Sequence, residues 1–83
     1  MYYMYILQSL VDLGFYIGFT SDLKARYNKH QKGGVKSTKN RRPFKLIYCE
    51  VYSREKLARL REIELKKHGQ KREELLNRFK LIN

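Results

Sequence analysis

The chain is short of several things. It has one cysteine, one proline, no tryptophan and only eight acidic residues among 83. The single Cys49 excludes an internal disulfide framework and a cysteine-based zinc site. It stands in an apolar run, so a buried, inert thiol is expected. No apolar stretch approaches the ~18 residues of a membrane-spanning helix. The start lacks the basic region and small-residue cleavage site of a signal peptide. A soluble, cytoplasmic protein is therefore expected. There is no internal repeat and no linker, and the length predicts one domain over residues 1–83.

The shortage of acids matters most. Eight Asp and Glu face nineteen Lys and Arg, which gives a formal charge of +11. A surplus of that size on so small a chain points to phosphate neutralisation and hence to nucleic acid. An anionic membrane surface fits less well, because no segment pairs a basic face with a broad apolar one. Hydrophobic residues make up 42% of the chain, enough for a globular core.

The pattern predicts an α+β fold of order β-β-α-β-α-α, with helices on a three-stranded antiparallel sheet. Residues 2–7 are bulky throughout and read as a strand. Turn formers Ser9, Asp12 and Gly14 separate them from a second strand over 15–18, closed by Gly18. Thr20, Ser21 and Asp22 are candidate caps of a helix reaching about Gln31, with Gly33 and Gly34 behind it. Residues 35–43 are polar and basic, and Pro43 excludes a helix there. Residues 44–52 alternate as a strand, with Leu46, Tyr48 and Glu50 on one side and Ile47, Cys49 and Val51 on the other. Ser53 is expected to cap a helix running to about His68, with Gly69 as its closing residue. Leu57, Leu60 and Ile63 form one apolar row on it, and Ala58 and Leu65 a second. A last helix is expected over about 71–81.

Few residues here suit chemistry on a phosphodiester. Tyr5 and Tyr16 are phenols on adjacent strands, and strand tyrosines are ordinarily packing residues. A phenol accepts a proton from water only if a nearby cation or metal lowers its usual pKa of ~10. Arg26 and His30 are four apart and share one helical stripe. A guanidinium can grip a phosphate bidentately, and an imidazole can position a nucleophile or relay a proton. With acids scarce, Glu62 and Glu64 are candidate hard-oxygen ligands for a divalent ion. Helical geometry alone does not choose between them, and Glu62 is also spaced for an ion pair with Lys66. Lys24, Lys36, Thr38, Lys39, Arg41 and Arg42 are the candidates for tracking a nucleic-acid backbone.

Taken together, these residues resemble the GIY-YIG nuclease family. Tyr3-Met4-Tyr5 stands where the first motif would be, and Tyr16-Ile17-Gly18 is the second, eleven residues on from Tyr5. The run from Tyr16 to His30 places Arg26 and His30 where the family carries its helix Arg and His. Lys36-Ser37-Thr38-Lys39, Arg42-Pro43, Leu46-Ile47-Tyr48 and Glu50 resemble the small stand-alone bacterial members, relatives of the N-terminal domain of a DNA-repair excinuclease. Ala58, Glu62, Leu65 and Lys66 resemble their metal-binding helix. Tyr3 and Met4 depart from the first motif's Gly and Ile, at backbone and packing positions.

The resemblance implies a metal-dependent endonuclease with Tyr5, Tyr16, Arg26, His30 and Glu62 as catalytic residues. It implies one Mg²⁺ or Mn²⁺ ion at Glu62, and so decides between Glu62 and Glu64. It leaves the base role open among Tyr5, Tyr16 and His30. Asn77 and Asn83 are both candidates for an asparagine found in some members. DNA is the expected partner ahead of RNA, since no aromatic platform of the RNA-recognition type is evident. The kinship with an excinuclease implies a DNA-repair setting. Larger relatives append a targeting domain; here target choice is expected from the chain's own surface or from a protein partner. The rival reading is a non-catalytic DNA- or RNA-binding module on the same fold.

Overall fold

A computed structural model describes the backbone of residues 1–82 and the side chains of residues 1–79. Strand β1 (Tyr2–Ser9) is central, with β2 (Phe15–Thr20) and β3 (Phe44–Tyr52) antiparallel on either side, in the order β2-β1-β3. Helix α1 (Leu23–Gln31) follows β2, and α2 (Glu55–Lys67) and α3 (Gly69–Ile82) follow β3. The architecture is the expected α+β order β-β-α-β-α-α.

β1 is bulky throughout because it is buried on both faces. Met4 and Ile6 pack with Ile17 and with Leu65, Leu75 and Leu76 of α2 and α3. Tyr5 and Leu7 pack with Phe44, and with Tyr16, Leu23, Tyr27, Leu46 and Cys49. All four β1 side chains are at most 1% exposed. The sheet thus separates two cores, one under α1 and one under α2 and α3.

Several local expectations shift. The strict alternation of β3 fails at Ile47. Ile6 pairs with Tyr48 but Leu7 pairs with Leu46, so Ile47 is an extra, bulged residue. The bulge moves Leu46 away from the side of Tyr48 and over to that of Tyr5 and Leu7. Cys49 is half-buried, not buried. Gly18 does not end β2, which continues to Thr20. Asp22 is the α1 cap; its carboxylate accepts from the Ala25 N–H at 3.0 Å. Gly33, at φ +80°, takes the left-handed turn behind that helix. A single 3-10 turn forms at Lys39–Arg41, ahead of Pro43, where none was expected.

In α2 the cap is Arg54, not Ser53, and it makes no side-chain capping bond. Gly69 does not close α2 but opens α3, with His68 as the joint between them. The Leu57–Leu60 row stays outside, at 45% and 50% exposure. Ala58 and Leu65 are fully buried instead. The small Ala58 lets α2 lie close to the sheet. Glu62, four residues on from it, borders that face.

Candidate active site

Tyr5 enters from the central strand with Gly18 as its cross-strand partner. A Cβ at Gly18 would stand 2.5 Å from the Tyr5 hydroxyl, so only glycine lets the phenol lie across the β2 backbone. This close approach is what the second motif's glycine provides. Tyr16, from β2, stands beside it, its ring centre 6.4 Å from that of Tyr5 and 5.0 Å from that of His30.

The helical spacing of Arg26 and His30 aims both at the same phenol. Arg26 Nε–H donates to the Tyr5 oxygen at 3.3 Å, and His30 Nε2 lies 2.8 Å from that oxygen. His30 is fully buried. Its other nitrogen, Nδ1, is 2.8 Å from the Thr38 hydroxyl, which donates to the Val35 carbonyl at 3.3 Å. Thr38 is itself fully buried. It therefore cannot track a nucleic-acid backbone, as its place in a basic loop suggested; its hydroxyl faces inward to the imidazole.

Glu62 comes to the same corner from α2. Its side chain is 15% exposed, and Lys66 Nζ holds its carboxylate at 3.3 Å. The same ammonium sits 5.6 Å from the Tyr16 ring centre. Glu62 is also near enough for its charge to act on the Tyr5 phenol. The structure therefore brings Tyr5, Tyr16, Arg26, His30 and Glu62 together from four elements. Glu64 points elsewhere, to Arg61 at 2.7 Å and Lys71 at 3.0 Å. Lys66 was legible as an ion-pair partner and in the run resembling the metal-binding helix, but its place over Tyr16 had no signal in the sequence.

Burial raises the Tyr5 pKa, and the hydrogen bond from Arg26 opposes this. Tyr5 thus keeps its proton at neutral pH. The Arg26 guanidinium is held above its usual value, chiefly by that same bond. Burial, with the nearby charges of Arg26 and Lys29, lowers His30 to about 4. The imidazole is neutral at pH 7 and can accept a proton. Among the described residues, no carboxylate forms an ion pair with Arg26. The corner is a net-positive, hydrogen-bonded site with one acid at its side.

Glu62 is a single hard-oxygen donor, and no cluster of three or more His, Cys, Asp or Glu occurs among the described residues. A lone carboxylate fits a divalent ion that keeps most positions for water and phosphate, and such an ion would take the place of the Lys66 ammonium.

Of the expected backbone-tracking residues, Lys24, Lys36, Lys39 and Arg42 are exposed. Arg41 is tied to Asp12 at 2.8 Å and lies over the Phe44 ring. Asn77 is exposed on α3, and Asn83 lies outside the described residues. A groove of 530 Å³ lined by Tyr3, Leu23, Tyr27 and Leu46 holds none of the five converging residues. No described helix is long and apolar enough to cross a membrane.

The sequence matches the GIY-YIG catalytic domain over residues 1–77. It is 41% identical over 66 residues to a UPF0213 protein of Staphylococcus aureus, across 78% of this chain and 79% of that protein. The fold is similar to the solution NMR structure of a UPF0213 protein from Bacillus halodurans. The TM-score is 0.58 at 34% identity, over 96% of this chain and 86% of the other. With that match running over nearly the whole chain, the chain belongs to the GIY-YIG family and carries its nuclease-type fold.

Proposed function

We propose that this protein is a divalent-metal-dependent endonuclease that hydrolyses DNA phosphodiester bonds. One observation carries the reading: the Tyr5 oxygen is bonded by Arg26 and His30 at once, with the Glu62 carboxylate at the same corner. A pure DNA binder has no use for a carboxylate beside its cations.

Arg26 also lines an open hollow of 390 Å³ with Tyr2, Phe19, Thr20, Ser21 and Glu55. Its remaining N–H groups suit a phosphate there, where they would stabilise charge developing on the phosphoryl oxygens. The protonated Tyr5 cannot take a proton from water without losing its own. Neutral His30, at 2.8 Å, accepts that proton. Tyr5 and His30 thus act as one base, with Tyr5 passing its proton to Nε2 as it gains one. A bound phosphate would offset the charge of Arg26, which is one cause of His30's weak basicity. Tyr16 packs against both rings and holds their relative setting. Glu62 would hold Mg²⁺ or Mn²⁺, which when bound polarises a phosphoryl oxygen and stabilises the leaving group. The positive surface, with exposed Lys24, Lys36, Lys39 and Arg42, supplies affinity without sequence choice.

The test is nicking of supercoiled plasmid with Mg²⁺ or Mn²⁺. Wild-type protein is expected to nick, and Glu62→Ala to bind DNA without nicking it. An inactive wild type with either metal, or nicking that survives Glu62→Ala, would overturn the proposal.

A further inference from the structure

We infer that Thr38 is a positioning residue that fixes which nitrogen of His30 carries the proton, and so makes the imidazole a base toward Tyr5. The inference rests on the nuclease reading above for its consequence, but on geometry alone for its substance.

The hydrogen bonds run in one direction. The Val35 carbonyl, which accepts from the Thr38 N–H at 3.1 Å, lies 3.3 Å from the Thr38 hydroxyl and offers the single hydroxyl proton an acceptor; we assign the proton there. Its oxygen is then an acceptor for the ring nitrogen 2.8 Å away, which requires a proton on Nδ1. A neutral imidazole carries only one N–H, so Nε2 is left bare. Nε2 accepts from the Tyr5 hydroxyl at 2.8 Å, and the Tyr5 oxygen in turn accepts from Arg26 at 3.3 Å. Each bond from Arg26 through Tyr5, His30 and Thr38 to the Val35 carbonyl then has one donor and one acceptor. The opposite tautomer would put a proton between Nε2 and Tyr5 and remove the base.

Burial makes the arrangement consequential. Thr38 and His30 are both 0% exposed, so a partner lost from either is not replaced freely by water. Thr38 also stands at the head of the 3-10 turn of Lys39–Arg41, where its carbonyl accepts from the Arg41 N–H at 3.0 Å. The loop with the exposed basic side chains Lys36, Lys39 and Arg42 is thus the one that holds the imidazole.

The experiment is ¹⁵N NMR of the His30 ring in the whole protein, together with cleavage kinetics. Wild type should show the Nδ1–H tautomer at pH 7. Thr38→Val keeps the shape but removes the hydroxyl, and should give a mixed or inverted tautomer. It should lower kcat ~10-fold or more, with DNA affinity unchanged. Thr38→Ser should restore both the tautomer and the rate. An Nε2–H tautomer in wild type overturns the inference, as does an unaltered ring signature in Thr38→Val. If Thr38→Val fails to fold, the wild-type and Thr38→Ser spectra still decide it. The ring signature needs no cleavage, so it separates failure of this assignment from failure of the nuclease reading.

Discussion

The two faces of the sheet each carry a cluster of tyrosine, arginine and one further titratable group, and the two are wired differently. Under α2 and α3, Glu50 accepts from Tyr48 at 2.8 Å, from Tyr52 at 2.6 Å and from Arg61 at 2.9 and 3.2 Å. Arg61 also binds Glu64, which binds Lys71. Arg61 and Lys71 each have an acid there, and the Glu50 carboxylate is filled by phenols and a guanidinium. Under α1, Arg26 meets a phenol and no carboxylate, and the phenol meets a neutral imidazole. The first cluster is saturated and ties β3 to α2. The second has hydrogen-bonding capacity and positive charge left over, which is what a phosphate requires. Residue types alone do not separate the brace from the candidate site; the pairing of Glu50 and Arg26 does.

Breaking one member of each cluster gives the largest contrast. Arg26→Ala should lower the cleavage rate ~10²–10³-fold while changing DNA affinity and stability little, because its donors act mainly on developing charge. Glu50→Gln should do the reverse. It weakens two phenol bonds and the bidentate contact to Arg61, for a loss of about 1–3 kcal/mol of stability. The rate per folded molecule should stay at the wild-type level. Chemical denaturation and single-turnover cleavage measure the two sides. A rate loss in Glu50→Gln that exceeds its unfolded fraction would erase the distinction between the faces.

Acid should separate the same clusters by pH window. The unfolded chain protonates His30 near 6.5, whereas the native site resists until about 4. Between those values the unfolded state binds more protons, so this stability is full at neutral pH and falls as pH drops. Up to about 3 kcal/mol is at stake at 1.36 kcal/mol per unit. Glu50 is held below its ordinary 4.5 by Arg61, Tyr52 and Tyr48 against the opposing effect of burial. Its contribution is present above 4.5 and is lost only as pH falls further. Unfolding free energy against pH should therefore lose an upper step in His30→Gln and a lower one in Glu50→Gln. One step common to both variants would mean that the two faces titrate together.

Much of this was legible in the sequence, and the limits are physical. Element order followed from turn residues and apolar runs, and the partnership of Arg26 with His30 followed from helical spacing. The bulge at Ile47 was not legible, because a bulge depends on the partner strand and the continuous apolar run Leu46-Ile47-Tyr48-Cys49 carries no mark of register. Nor was the burial of Thr38: it lies among exposed basic residues, and its partner is eight positions back across a glycine turn. Leu57 and Leu60 made the longer apolar row of α2, yet the sheet took the small Ala58 with Leu65. Closeness of approach decided the face, and hydropathy does not report it. That choice is also what brings Glu62 toward Tyr5 instead of leaving it in solvent.

The contrast between saturated and unsaturated cations extends to the surface loop, where its effect is smallest. Arg41 and Arg42 are adjacent and equal in charge. Arg41 makes two bonds to Asp12, at 2.8 and 3.3 Å, and its guanidinium in turn holds the Asp12 carboxyl down to about 2. Arg42 is exposed, and among the described residues its one hydrogen bond is from Nε to the Lys39 carbonyl at 2.9 Å. A phosphate can bind the free edge of Arg42 without displacing a carboxylate. Arg42→Ala should therefore reduce the slope of log affinity against log salt by about one unit. Arg41→Ala should reduce it by less, since that cation already has its anion. Fluorescence anisotropy on one duplex across a salt series measures both. Equal losses would mean that Arg41 leaves Asp12 when DNA binds, so that a saturated pair is no barrier to recruiting its cation.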